Sequence, residues 1–207
     1  MLPLSFSPPT HESRPHLRAS QPTLLAASKT IAAQREAMLA QWSEWLGDRL
    51  VPAKTLERAL VERQLGLILD VLATLIGPLR REAKPIWVQV SGHYGRIAAA
   101  RGLAAGEVVE EMQYLRELLI RYLAPAIAAF RPRQGMALLL RLNRLVDKGV
   151  AMAVVGYTDA LVTSILPDRQ GDAQDKSDGV DEETVRAELD ELAEKLLTVS
   201  AHHANTG

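Results

Sequence analysis

The chain has 207 residues, 47% of them hydrophobic, enough to bury one sizeable core with a small appendage. A formal charge of −1 supplies no global positive field for nucleic acid or an anionic membrane. Cysteine is absent, which excludes disulfides, thiolate metal sites and cysteine nucleophiles and fits a reducing cytosol.

The opening MLPLSFSPPTHESRPHLRAS has no basic flank followed by an apolar run, so it does not read as a secretory signal. Its prolines and serines predict a disordered arm over residues 1–21. Aromatics are only 4% and alternating β-branched runs are missing, whereas helical periodicity recurs throughout. The expected fold class is therefore all-α, a bundle of long helices over residues 22–167.

The pattern predicts a first helix from Thr23 to Leu46, with Ile31, Met38, Trp42 and Trp45 on one side. GDRLVP interrupts it, and Pro52 suits the start of a second helix carrying Leu56, Leu60, Leu67, Val71, Leu72, Leu75 and Leu79. Pro78 should end or bend that helix near Gly77. A third helix is expected after Pro85, stopping at Gly102 in a left-handed conformation. A fourth, from Gly106 to Phe130, has the stripe Val108, Met112, Leu115, Leu119, Tyr122, Ala126 and Phe130, with Pro125 expected to kink or end it.

The fifth helix, Arg133 to Leu166, is unusually long for a globular protein. Its stretch GVAMAVVGYTDALVTSIL is the chain's nearest approach to a membrane span, but Asp159 sits inside it, so a buried helix is the better reading. Gly149, Ala153, Gly156 and Ala160 follow at spacings of four, three and four, forming a line where a second backbone can approach closely. That line suits tight packing within the domain or across a dimer; a flat cofactor is the sharper alternative.

DRQGDAQDKSDGV is polar and glycine-containing, and residues 168–180 read as a linker. A heptad helix is expected over 181–200, with Asp181 as N-cap and the seam Val185, Leu189, Leu192, Leu196 and Val199, before a tail at 201–207. Two heptads are too short to stand alone, so the seam needs a second copy, another protein or the main bundle.

Motifs for chemistry are scarce. GHYGRIAAARG, Gly92 to Gly102, lacks phosphate-loop or dinucleotide spacing, and no serine elbow, zinc pair or calcium loop occurs. His202 and His203 lie at a frayed end, so neither a metal nor another cofactor is expected. His93 shares a face with Ile86, Val90 and Ile97, which suits a hydrogen-bonded core histidine, a small-molecule contact or an axial haem ligand. Arg116 lies beside the fourth stripe and must be paired, with Glu107, Asp70, Asp147 and Asp159 as the acids within reach. No nucleophile stands beside a base, so catalysis is not expected.

The run HYGRIAAARGLAAGEVVEEMQYLRELLIRYL, followed by LLRLNRLVDKGVAMAVVGYTDAL, resembles the N-terminal sensor domain of the RsbR family, co-antagonists of the RsbT kinase. The shared elements are Arg101–Gly102 at a helix end, the turn LAAG, the acids Glu107 and Glu110–Glu111, and the pair Leu115–Arg116. The resemblance covers residues 23–166. It implies a globin-like, usually dimeric domain without haem that passes signals, such as stress signals, to an output protein. It also implies that His93, Tyr94, Arg101, Tyr114 and Arg116 line or brace a small cavity.

The sequence continues to Gly207 without an output module. The expectation is thus a stand-alone cytoplasmic regulator that homodimerises and contacts a signalling partner of kinase or co-antagonist type, with no nucleic acid or membrane bound. A ligand- or haem-binding sensor and an architectural helical adaptor remain the alternatives.

Overall fold

The structure is a computed structural model that describes residues 17–47, 58–165 and 182–204, and the regular secondary structure among them is entirely helical. In chain order the helices are α1 (Gln21–Ala33), α2 (Arg35–Gly47), α3 (Arg58–Ile76), α4 (Arg80–Ala100), α5 (Ala105–Ala129), α6 (Pro132–Ile165) and α7 (Glu182–Ala204). None is long and apolar enough to cross a membrane. The all-α reading holds.

Local chemistry places most helix ends. Ser20 caps α1, its Oγ accepting the Thr23 amide at 3.5 Å, so helix begins at Gln21, inside the stretch read as an arm. The predicted first helix is two, separated by a single residue at Gln34. Helical bonding almost bridges the gap, with Gln34 N donating to Thr30 O and Met38 N to Gln34 O. Arg35, just past the break, grips Asp70 of α3 through bonds of 2.7 and 3.1 Å.

Pro52 and Leu56, assigned to the second helix, lie outside the described residues. Helix α3 ends at Ile76, next to the Gly77–Pro78 turn, and Leu79 belongs instead to the N-cap of α4. Helix α4 starts five residues before Pro85 rather than after it. Pro85 removes only the bond its nitrogen would have donated to Arg81 near the helix start, and the following residues Ile86, Trp87 and Val90 are buried. Pro125 likewise sits inside α5 without ending it.

The end of α4 follows the expectation. Gly102 has φ 79°, and the amides of Gly102 and Leu103 reach back to the Ala99 and Ala98 carbonyls at 2.9 and 3.1 Å. This left-handed cap turns the chain into α5, where the Ala104 amide donates to Glu107 Oε2 at 2.6 Å.

Helix α3 is the centre of the core. Leu65, Ile68, Leu69 and Leu72 are completely buried, and α1, α2, α4 and α7 all lie against it. The most extensive helix pair is α4 with α6. The line Gly149, Ala153 and Gly156 faces α4, where Gly92 and Gly95 answer it. A Cβ on Gly95 would overlap the Ala153 carbonyl, one on Gly156 would overlap the Gly92 carbonyl, and Trp87 fills the space beside Gly149. The small residues are therefore occupied within the chain, which leaves that face closed to a dimer partner or a flat cofactor. Ala160 continues the line but is only half-buried.

The heptad helix also finds its place on the bundle. In α7, Val185, Leu189, Leu192 and Leu196 are buried and Val199 is partly so, with α3 and α4 beneath them. Of the three occupants open to the seam, a second copy, another protein or the main bundle, it meets this chain's own bundle and is not free for a partner. The expected linker at 168–180 and the N-cap Asp181 lie outside the described residues, while helix extends past residue 200 to Ala204.

Candidate functional site

The densest group of buried polar side chains bridges the end of α4 and the first half of α5. Glu111 is 2% exposed and receives Arg101 from two directions, Nη1 at 3.1 Å and Nη2 at 2.8 Å. The Tyr94 hydroxyl donates to the same carboxylate. Burial raises the Tyr94 phenol well above its usual range, reinforced by the Glu111 carboxylate, so the hydroxyl stays protonated. Burial opposes the charge on Arg101, but Glu111 outweighs it and the guanidinium pKa is raised.

This cluster ties two helices across the Gly102 turn. Tyr157 of α6 adds a third, its hydroxyl donating to the Leu103 carbonyl at 2.8 Å. The Tyr94 ring also packs against Trp42 of α2, with centroids 6.1 Å apart. With Glu111 already held by both neighbours, the arrangement fixes charge in place rather than presenting it to a substrate.

The five residues expected to line one cavity separate into four settings. Tyr94 and Arg101 meet at Glu111. Tyr114 stacks on Trp45, with centroids 4.4 Å apart and rings nearly parallel at 7°. Arg116 pairs with Asp147 of α6, one of the four acids within its expected reach. His93, fully buried, turns to α7.

His93 Nε2 lies 3.0 Å from Glu188 Oε2, yet neither ring nitrogen is aligned for a hydrogen bond. Glu188 instead takes a direct bond of 2.7 Å from Arg96. Burial, helped by the Arg96 charge and opposed by Glu188, holds the imidazole down at about 4, so it is neutral near pH 7. Nearby, Arg63 pairs with Asp190, and Lys195 reaches Gln89 at 3.4 Å, so polar contacts border the apolar α7 seam.

In the sequence Glu111 stands only among the opening acids of α5. Its signal was legible, because it follows Val108 by three residues and precedes Leu115 by four, on the buried face. Glu188 offered no such signal, since its partner is distant in sequence. No group of three or more His, Asp or Glu among the described residues is placed to hold a metal ion. The side chains of His202 and His203 lie outside the described residues.

No family model matches the sequence, and no curated protein or solved structure matches it either.

Proposed function

We propose that the chain is a non-catalytic signal-transduction module of RsbR type, a globin-like sensor domain that works through protein contacts and pairs with a second copy of itself. The observation carrying this reading is the outer face of α6. That helix has 34 residues, about 51 Å at the usual rise. Its inner face is committed to α4 and α5, while Leu140, Arg144, Ala151, Val155, Thr158 and Val162 run along the opposite side, all exposed, with Asp147 at the edge where it pairs with Arg116 of α5.

The steps along that stripe are four, seven, four, three and four residues. Leu140, Ala151 and Val162 are eleven residues apart, close to three turns, so the stripe runs nearly straight along the helix. Met136 and Leu161 widen its apolar ends, at 53% and 40% exposed. A second copy suits this face because two of its charges, Arg144 and Asp159, are complementary about the centre. Arg144, in the stripe, and Asp159, beside it, lie seven and eight residues from Ala151 in opposite directions, with opposite sign. Two antiparallel α6 helices would bring each arginine to the other's aspartate and stack Leu140 beside Leu161 and Val162.

In this reading α7, seated on the bundle beside His93, is the element through which an output partner is engaged or released. Light scattering tests the pairing. The expected mass is twice the 22.7 kDa of the chain, falling to a single chain in Val155→Glu. A monomer at tens of micromolar, or a Val155→Glu variant that stays dimeric, overturns it.

A further inference from the structure

We infer a binding site for a small organic phosphate in the cleft at the start of α4. The cleft encloses about 700 Å³, within the range of small-molecule sites. Arg80, Arg81 and Lys84 from the first turns of α4 line it, together with Arg141 from α6 and one acid, Glu82.

Four cations gather there against one carboxylate. Seven arginines elsewhere, Arg35, Arg58, Arg63, Arg96, Arg101, Arg116 and Arg121, each hold an aspartate or glutamate, while others such as Arg144 stand exposed in water. Among the described residues, none of the four cleft cations has an ion pair.

Arg141 is also held in position for a ligand. Its Nη2 donates to the Leu75 and Ile76 carbonyls, both at 3.1 Å, which fixes the guanidinium at the end of α3. Its Nε is buried with no partner. Burial, and after it the neighbouring Arg80 charge, lower the Arg141 pKa. The N-cap residue Leu79 makes no side-chain cap bond, so the first turn of α4, whose Arg80, Arg81 and Glu82 line the cleft, has no side-chain cap for its amides.

Guanidinium groups, an ammonium and uncapped amides together match the oxygens of a phosphate. The adjoining Leu24 and Pro78 offer an apolar wall for the organic part. The cleft is concave and local, and the chain's net charge is −1, so a small molecule fits better than nucleic acid or a membrane surface.

The test is titration of the full chain with inorganic phosphate and with adenosine monophosphate at fixed ionic strength, followed by amide NMR. Saturable shifts confined to the cleft, at Leu24, Gly77, residues 79–84 and Arg141, are expected, with tighter binding for the nucleotide than for bare phosphate. Arg81→Gln/Lys84→Gln should weaken binding at least tenfold while leaving the helical circular dichroism spectrum unchanged. Shifts that scale with ionic strength alone, affinity unchanged in the double variant, or binding only to vesicles containing phosphatidylglycerol would each overturn the inference.

Discussion

Gly95 of α4 lies so close to the Ala153 carbonyl of α6 that a β-carbon has no space between them. The obstacle is backbone, which cannot swing aside as a flexible side chain would. Gly95→Ala must therefore push the two helices apart, straining the core by about 1–3 kcal/mol. Alanine's better helix propensity returns about 1 kcal/mol of this, leaving a net loss of about 1–2 kcal/mol. Urea denaturation measures it. Gly106→Ala is the control, with nothing within 4 Å of its added Cβ, and should be neutral or slightly stabilising.

The Arg101–Glu111 pair makes a different demand. Both side chains are 3% exposed, so removing one partner strands the other charge away from water. Glu111→Leu should cost about 3–5 kcal/mol by denaturant midpoint. Replacing the whole cluster, as Tyr94→Phe/Arg101→Met/Glu111→Leu, should cost much less, because no buried polar group is then left unpaired. A triple variant as unstable as Glu111→Leu alone would show that charge, beyond mere satisfaction of partners, maintains the Gly102 turn.

His93 gives the fold a pH dependence with a defined sign. Its folded pKa of about 4 lies below the ordinary 6.5, so the unfolded chain takes up the proton first as pH falls. The contribution is complete above pH 6.5 and is lost between 6.5 and about 4. A single site with these values weakens the fold by about 2 kcal/mol between pH 7.5 and pH 5. Glu188 of α7 and Arg96 of α4 are the charges facing the ring, and other carboxylates titrate in the same range. The measurement is therefore the difference between the chain and His93→Leu. The variant should lack that part of the slope; identical slopes would show that His93 is not the group responsible.

Much of the fold was legible because helical spacing reports burial directly. Leu115, Leu119 and Leu189 were placed on apolar faces, and all three are buried. Gly102 was legible because a left-handed turn favours glycine so strongly. Pro85 and Pro125 misled because proline removes one local bond, whereas the packing of a whole helix can outweigh it. The candidate site was less legible for a related reason. Tyr94, Arg101, Tyr114 and Arg116 are neighbours in pattern, yet Trp45, Glu111 and Asp147 divide them among separate contacts. Partners contributed from other helices leave no trace in local spacing. The same limit applies to Gly92 and Gly95, whose use depends on Gly156 and Ala153 lying opposite.

The outer face of α6 allows a charge test that distinguishes specific pairing from loose hydrophobic association. Arg144 and Asp159 are exposed, and neither side chain has an ion pair among the described residues. Arg144→Asp alone would place two acids together at both ends of an antiparallel pair, and Asp159→Arg alone would place two arginines there. Each should weaken the dimer several-fold, since an exposed pair contributes about 0.2–1 kcal/mol and the two-fold axis repeats the change. Combining them as Arg144→Asp/Asp159→Arg exchanges the signs and should restore wild-type affinity in sedimentation equilibrium. Raising the salt concentration should shrink all of these differences, because the charges are in water. An apolar patch that simply coalesces would show no such rescue, and a parallel arrangement would bring Arg144 to Arg144, so the exchange would leave repulsion in place.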